Sequence, residues 1–308
     1  MPNLSYQATF GGFTSVLRVD PRRAEPRYVY HWFSTERTQQ RARSFGQRTT
    51  NISNLNQSRC LELEVPLPPL NEQRRIAAIL DKADALRRKR EQAISLIRAA
   101  SDSFIEVSIE RFAGRKMQSL GGCLEFITTG GRNWSQYYVE TGSRFIRSLD
   151  VQMNSVSDED VVFVDAPDNA EAKRTRTRAG DVLLTVTGSR IGRVAALPQE
   201  LAGAYISQHV AILRPNARRL RPKFLSYFLS SQSGQRQIAK WQYGQTKPGL
   251  NFKQIEAFEI PEIGADKQLV IERAIASFEH SVRILRVQRA KFDDLFSSLQ
   301  HRAFSGQL

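Results

Sequence analysis

Cysteine is scarce in this chain, and long apolar runs are missing from it. Cys60 and Cys123 are the only two cysteines among 308 residues, and neither belongs to a CxxC or Cys/His cluster. This excludes a cysteine-rich zinc site and a disulfide framework. No apolar stretch approaches the ~18 residues that span a bilayer, and the N-terminus lacks the basic and then apolar pattern of a signal peptide. We therefore expect a soluble cytoplasmic protein.

Sequence patterns of catalysis are missing as well. The segment Gly188–Gly192 lacks the Gly-Lys-Ser/Thr ending of a phosphate-binding loop. The acidic residues Asp168 and Glu171 fall in one short loop with Lys173, whereas nuclease sites bring distant strands together around a metal. The four histidines are scattered without ligand spacing. We therefore predict a binding protein rather than an enzyme, with no metal and no cofactor.

Positive charge is abundant. The chain has 45 Lys and Arg against 31 Asp and Glu, a formal net charge of +14. Such an excess favours a polyanionic partner, either nucleic acid or an anionic membrane surface. A basic protein without such a partner is the alternative.

Part of the sequence occurs twice. Residues 17–114 and 213–306 contain similar sequence features in the same order, offset by about 195 positions. Pro26 thus corresponds to Pro222, and Gln73 corresponds to Gln268. A repeat of this length indicates a duplicated structural module. In each copy a short α/β segment leads into one long helical pattern.

The two long helical patterns have a coiled-coil period. Apolar residues step by three and four positions, which is the spacing of a coiled-coil seam. Helices of this length need a partner for the apolar stripe, so we predict an intramolecular antiparallel pair; ordinary helices of a globular core are the alternative. The predicted seams are Ile79, Ala83, Leu86, Ala93, Ile97, Ala100, Phe104 and Val107 in the first helix, and Ile271, Ile275, Phe278, Val282, Leu285, Phe292, Phe296 and Leu299 in the second.

Short apolar runs predict a globular domain between the helices. Residues 145–149, 160–164, 181–186, 194–197 and 209–213 have strand character, and residues 222–240 have helical spacing. The N-terminal segment predicts a strand at 13–17, a helix at 28–43, a polar loop at 46–51 and a strand at 61–65. The fold class is therefore α+β, a mixed α/β domain plus two long helices that form an antiparallel coiled coil.

Basic, aromatic and amide side chains cluster in loops of the predicted globular domain. Cations suit phosphate contacts, and Arg, Lys, Asn and Gln on projecting elements can read base edges. These clusters favour DNA contact, although each residue by itself could be a solvated surface charge. The candidate DNA-binding residues are Arg132, Trp134, Tyr137, Lys173, Arg174, Arg176, Arg178, Arg190, Arg193, Lys240, Tyr243, Gln245 and Lys247.

Three motifs resemble a known family. Residues 65–86 read VPLPPLNEQRRIAAILDKADAL, which closely resembles the central conserved region of type I restriction–modification specificity subunits. The segments GDVLLTVTGSRIGRV at 180–194 and SQHVAILRP at 207–215 are similar to strands of the target recognition domains of that family. The resemblance covers almost the whole chain.

The resemblance implies a role and a division of the chain. It implies two target recognition domains separated by an antiparallel coiled coil, a non-catalytic sequence reader of double-stranded DNA, and partners that comprise methyltransferase subunits and a restriction/translocase subunit. A coiled-coil DNA-binding scaffold or regulator without a methyltransferase partner is the alternative. The expected division is the C-terminal part of a first recognition domain, spacer helix 1, a complete recognition domain and spacer helix 2, at residues 1–65, 66–115, 116–261 and 262–308.

The first recognition domain is shorter than the family pattern. Residues 1–65 match only its C-terminal part, so we expect either a truncated product or a half-type subunit that pairs with a second copy of itself. In the second case, two copies would recognise a symmetric split site.

Overall fold

The computed structural model describes residues 14–49, 52–114, 116–242 and 249–308, without the side chains of residues 47–54 and 242. The chain divides into two compact units. Unit 1 comprises Met1–Ser95 and Arg283–Leu308, and unit 2 comprises Leu96–Val282. Both boundaries fall inside long helices, so the units do not test the four-segment division expected from the sequence, which stays a prediction.

Unit 1 contains short elements followed by a long helix that continues beyond it. Its elements are α1 (Pro26–Phe33), α2 (Glu36–Ser44), β1 (Gly46–Thr49), β2 (Ile52–Leu55), α3 (Gln57–Leu61) and the first part of α4 (Leu70–Ala113). The last part of α9 (Ala265–Phe304) completes the unit.

The N-terminal segment differs from its prediction in several places. The helix predicted at 28–43 is interrupted, because Thr35 leaves the helical conformation and caps α2 by accepting a hydrogen bond from the Thr38 amide at 3.3 Å. The predicted polar loop at 46–51 contains β1, which pairs antiparallel with β2. Residues 62–65 and 14–17 form no strand. Each of these segments is short, and short apolar runs do not separate helix from strand.

Unit 2 contains most of the strands. Its elements are β3 (Met117–Ser119), β4 (Leu124–Thr129), β5 (Tyr138–Val139), β6 (Ser143–Ile146), β7 (Val151–Gln152), β8 (Ser155–Val156), β9 (Val162–Val164), α5 (Ala170–Thr175), β10 (Val182–Thr185), β11 (Val194–Ala196), β12 (Tyr205–Ile206), β13 (Val210–Pro215), α6 (Pro222–Ser230), α7 (Gln232–Gln242), α8 (Phe252–Glu256), β14 (Glu259–Pro261) and the remaining parts of α4 and α9.

Two four-stranded sheets form the body of unit 2. The first has the strand order β11-β10-β13-β4 and is antiparallel throughout. The second has the order β12-β6-β9-β5, with β12 and β6 parallel. The pairs β3–β14 and β7–β8 are separate two-stranded ladders.

The first sheet is buried on both faces. Val182 and Leu184 of β10 pack in the cluster that contains Phe224 and Phe228 of α6, whereas Leu183 packs in the cluster of the opposite face. Alternate side chains of a strand point to opposite faces, so a strand covered on both sides has no polar alternation. This explains the continuous apolar run at 182–184 within the strand predicted at residues 181–186. The sheet is consequently a rigid support for the loops at its ends.

A buried glutamine stands at the start of each long helix. In unit 1, Gln73 is 1% exposed; its side-chain oxygen accepts from the Glu25 amide at 2.9 Å, and its amide group donates to the carbonyls of Arg23 at 3.2 Å and Pro68 at 2.7 Å. This glutamine therefore joins the N-terminus of α1, the proline-rich connector and the start of α4.

Gln268 repeats this arrangement in unit 2. It is also 1% exposed, accepts from the Arg221 amide at 2.8 Å, and donates to the carbonyls of Arg219 at 2.9 Å and Ile263 at 2.6 Å. Pro26 and Pro222 open the helices that follow these amides, α1 and α6. The two copies of the duplicated sequence thus share the same hydrogen-bonded arrangement around a buried glutamine.

The long helices pair antiparallel within each unit. In unit 1, Arg87 of α4 binds Asp293 of α9 at 2.6 Å, and Glu91 lies further along α4 but binds the earlier residue Arg289. In unit 2, the rings of Phe104 and Phe278 are 6.0 Å apart. The predicted antiparallel pairing is confirmed.

The seam of α4 differs from its prediction. Leu86 is 39% exposed, Val107 is 60% exposed and Ala100 is also exposed, so none of the three lies in the seam. Arg87 and Arg90 take inward positions instead, with their guanidinium groups 4.6 Å from the Phe296 ring centre and 5.5 Å from that of Phe292. Arginine can bury its aliphatic stem and stack its head on an aromatic ring, and a purely apolar pattern overlooks such positions.

A polar cluster fastens α1 to α4 in unit 1. The Asp81 carboxylate binds His31 at 2.8 Å and also binds the guanidinium group of Arg27. Burial lowers the pKa of His31, against the opposing effect of Asp81. The imidazole is therefore neutral at pH 7 and donates one N–H to the carboxylate.

In the part of the chain that the structure describes, none of the helices has the length and apolar character that a membrane span requires.

Removal of the Gln268 side chain is expected to destabilise unit 2. Gln268→Ala leaves the partly buried Arg221 amide and Arg219 carbonyl and the buried Ile263 carbonyl without this partner, at a cost of about 2–4 kcal/mol. Urea unfolding of the full chain measures the loss. Gln232→Ala, at the exposed start of α7, is the matched control and should change the free energy of unfolding by less than about 0.5 kcal/mol. Equal midpoints for the two variants would contradict the assigned role.

A carboxylate in the helix seam is expected to weaken helix pairing. Phe278→Asp removes the ring that faces Phe104 and places an unpaired charge in a half-buried position, which costs about 2–4 kcal/mol. Thermal unfolding monitors the effect. Leu96→Asp changes a residue of α4 that is 70% exposed, and it should leave stability nearly unchanged. Similar losses in both variants would mean that the seam is misassigned.

Candidate nucleic-acid interface

Three loops meet at one end of the first sheet. Strands β4 and β10 both run antiparallel to β13, with Thr129 opposite Ala211 and Thr185 opposite Val210. The ends of β4 and β10 therefore lie beside the start of β13. We call this edge the loop end; it consists of residues 130–137, 187–193 and 207–209.

The β4 side of the loop end carries cations next to α5. Arg174 donates a hydrogen bond to the Thr129 carbonyl at 3.0 Å, which holds α5 against the end of β4. Gly131 packs so closely against Glu171 that an added Cβ would lie 1.9 Å from its carboxylate. The exposed Arg132 is consequently held beside α5, where Lys173 is also exposed. Lys173 binds Asp168 at 2.8 Å on the surface.

Trp134 supports this loop from inside. It is 3% exposed, its indole N–H donates to Glu171 at 3.0 Å, and its ring stacks on Phe145 with 5.3 Å between centres. A side chain buried to this extent does not reach DNA, so we correct its predicted role from contact to support. Tyr137 packs edge-on against Trp134 and is half-buried.

A glycine-bounded turn carries Arg190 and Arg193 on the β10 side. Gly188 and Gly192 have φ values of +90° and +87°, which residues with a Cβ rarely adopt. Arg190 donates to the Leu149 carbonyl at 3.2 Å, and Arg193 donates to the Gln152 side chain. Both guanidinium groups are therefore oriented by neighbouring loops.

The loop that receives Arg190 is itself fixed by an ion pair. Arg147 binds the buried Asp150 carboxylate at 2.9 Å, and this hydrogen bond raises the pKa of Arg147. Helix α7 flanks the turn from another side, because Gln235 donates to the Gly192 carbonyl at 2.9 Å. Lys240 lies exposed near the end of α7.

The predicted run of cations at 173–178 does not act as one cluster. The Arg178 amide donates to Asp181 at 2.7 Å, and Asp181 is buried against Arg214 just before β10 begins. Residue 181 lies about 20 Å along β10 from residue 187, at ~3.3 Å per residue. Arg178 is thus placed at the opposite end of the sheet. Arg176 pairs with Tyr205 at the second sheet.

Three candidate residues lie outside the described residues: Tyr243, Gln245 and Lys247. Gly249, the next described residue, forms a bridge with Thr187 at the loop end.

The third loop was missed from the sequence. Residues Gln208 and His209 are exposed at the loop end, between the β4 side and the β10 side. The sequence feature that could have indicated this loop is a pair of polar residues directly before the buried strand β13, within the SQHVAILRP motif. That pair looked like an ordinary strand start.

The loop end is positively charged. Arg132, Lys173, Arg174, Arg190 and Arg193 gather there, while the nearby acids Asp168 and Glu171 are engaged by Lys173 and Trp134. Among the described residues, no group of three or more His, Cys, Asp or Glu side chains could hold a metal ion. The arrangement suits a polyanion that presents both phosphates and hydrogen-bonding edges.

Known proteins share sequence patterns with this chain. Residues 6–96 match the family model described as type I restriction modification DNA specificity domain. The type I restriction enzyme EcoBI specificity subunit of Escherichia coli is 25% identical over 174 residues, which cover 55% of this chain and 36% of that protein. A putative type I restriction enzyme MjaX specificity subunit of Methanocaldococcus jannaschii is 20% identical over 95% of this chain and 70% of its own length. The chain thus spans about a third of the first relative.

Solved structures share the fold. One solved structure concerns complex assembly and conformational transition of the type I R-M system. Its chain matches with a TM-score of 0.61 at 19% identity, and the match covers 95% of this chain and 74% of that chain. The type I restriction-modification S subunit from M. genitalium matches with a TM-score of 0.55 at 16% identity, over 93% and 74% of the two chains. Together with the sequence matches, they confirm the resemblance noted from the motifs.

Proposed function

We propose that this chain, a relative of type I restriction–modification specificity subunits, recognises a DNA sequence and directs methyltransferase and restriction subunits to it. The loop end carries the proposal. Three cations of the loop end and two of the adjoining helix α5 lie on either side of an exposed polar pair there, on a sheet buried on both faces. The relatives named above are specificity subunits of restriction enzymes, which supports double-stranded DNA as the polyanion.

The two kinds of side chain at the loop end suit two kinds of contact. Arginine and lysine neutralise phosphates, which supplies affinity without reading sequence. Hydrogen-bonding groups that reach base edges supply sequence preference. The formal net charge of +14 adds long-range attraction to DNA.

The remaining segments support the same role. In this proposal, residues 116–261 form a complete recognition domain, and residues 66–115 and 262–308 supply the paired helices on which methyltransferase subunits dock. The chain binds and positions, and its partner subunits perform the chemistry. A second copy of the chain is a further proposed partner, with which it would assemble one split site.

Methylation mapping tests the proposed function. Cells that contain a type I methyltransferase partner are compared with and without the full chain, and the methylated positions of the genome are sequenced. We expect one DNA motif to be methylated only when the chain is present. A symmetric motif would favour pairing of two copies.

The controls separate recognition from docking. Phe278→Asp should abolish the motif by weakening the helix pair, whereas Gln199→Ala, an exposed position outside both long helices, should keep it. Absence of any chain-dependent motif, in cells where chain and methyltransferase co-purify, would refute the proposal. Specific DNA binding without co-purification would favour the scaffold alternative.

Arg190 is expected to contribute to sequence preference. If its guanidinium group reads a base, Arg190→Ala should weaken binding to the target about tenfold and binding to unrelated duplex much less. Fluorescence anisotropy at several salt concentrations measures both affinities.

Arg218→Ala is the matched control for Arg190. Arg218 is exposed beyond the end of β13, at the opposite end of the same sheet, and its loss should change neither affinity by more than about twofold. An equal loss on both duplexes for Arg190→Ala, with a shallower salt dependence, would make Arg190 a phosphate contact instead.

A further inference from the structure

Residues 207–210 form a turn that is fixed by backbone hydrogen bonds. The Val210 amide donates to the Ser207 carbonyl at 3.0 Å, which closes the turn. The Ser207 amide donates to Ile146 at 2.9 Å, and the Val186 amide donates to the His209 carbonyl at 2.9 Å. The two central residues, Gln208 and His209, are exposed, so a rigid backbone presents two polar side chains. We call residues 207–210 the reading turn.

Neighbouring loops leave no room for the turn to shift. Gly131 forms a parallel bridge with Ser207. A Cβ added to Gly130 would lie 2.0 Å from the Ile206 carbonyl oxygen, well inside van der Waals contact. The Gly130 amide donates to the Val210 carbonyl at 3.2 Å. The reading turn is therefore held from the β4 side as well as from the β10 side.

His209 orients the Gln208 amide. Its Nδ1 atom contacts the Thr187 hydroxyl, and its Nε2 atom lies 3.2 Å from the Gln208 side-chain nitrogen. A neutral imidazole satisfies both contacts when Nδ1–H donates to Thr187 and Nε2 accepts from Gln208. The Gln208 amide then keeps its carbonyl oxygen and its second N–H. These two groups form an adjacent acceptor and donor.

Cations flank the reading turn on both sides. Strand β13 lies between β10 and β4 in the sheet, so Arg190 and Arg193 stand on one side and Arg132 and Arg174 on the other. The major groove of B-DNA is bordered by phosphates. Cations on both sides of the turn suit contacts to phosphates while the turn faces the groove floor.

We propose that Gln208 reads an adenine in the major groove, with His209 as the residue that positions its amide. This inference rests on the proposed function. Adenine presents an N7 acceptor and an N6 donor side by side, which match the donor and acceptor that remain on Gln208. Guanine presents two acceptors, so one of its atoms would face the Gln208 carbonyl oxygen without a hydrogen. The fixed amide therefore discriminates between the two purines.

Selection from a duplex DNA library with a randomised central segment tests the inference. The full wild-type chain should select a motif that contains at least one adenine. Gln208→Ala should lose the preference at one adenine position by about tenfold, and its affinity for unrelated duplex should stay within twofold of wild type, since the turn is held by backbone bonds. All other positions of the motif should persist.

A second substitution sharpens the test. Gln208→Glu offers acceptors alone, so the preference at the same position should move from adenine towards cytosine, whose N4 group donates. Gln199→Ala removes an exposed glutamine that lies near the opposite end of the sheet, and it should select the wild-type motif. His209→Ala, which releases the amide, should weaken the preference at the Gln208 position and at no other.

The outcomes distinguish this inference from the proposed function. A wild-type chain that selects a motif without adenine, or a Gln208→Ala chain that keeps every adenine position, overturns the reading of adenine and leaves DNA recognition intact. A wild-type chain that selects no motif overturns the proposed function itself.

Discussion

Each long helix begins at a buried glutamine that bonds three backbone groups, and the arrangement of the short elements around that junction depends on these bonds. Gln73 and Gln268 each accept from the amide of the residue just before a short helix. Each donates to one carbonyl that precedes the short helix and to one carbonyl of the chain leading into the long helix. Backbone groups buried away from water need partners, and no regular element supplies them at these junctions. One side chain with both donor and acceptor capacity meets the need.

The duplication conserves this junction and varies what surrounds it. In unit 1, Asp81 of α4 holds Arg27 and His31 of α1. In unit 2, Glu272 of α9 holds Arg221 at 2.8 Å and also accepts from the Phe224 amide at 3.0 Å. Both copies tie the short helix to the long helix through a carboxylate, yet the carboxylate stands at a different position. The backbone frame has therefore been kept while the polar pairs that support it have changed.

Sequence patterns predicted the features that depend on periodicity and missed those that depend on tertiary contacts. The seam of α9 and the buried strand β10 followed from apolar spacing alone. The seam of α4 was misjudged at Leu86 because Arg87 and Arg90 bury their stems against phenylalanine rings. In the candidate site, the DNA contacts predicted for the cations at 132, 174, 190 and 193 stay predictions. The burial of Trp134 and the remote position of Arg178 were not foreseen, because both depend on partners far away in the chain.

In the reading turn, the groups that maintain the fold differ from the groups proposed to select a DNA sequence. Its shape comes from main-chain hydrogen bonds, and its two outward side chains contribute nothing to the hydrophobic clusters beneath. Substitutions at residues 208 and 209 are therefore nearly free of folding cost. Under the proposed function, a lineage could therefore change its DNA target by substitutions at these positions, one residue at a time, while the fold stays intact.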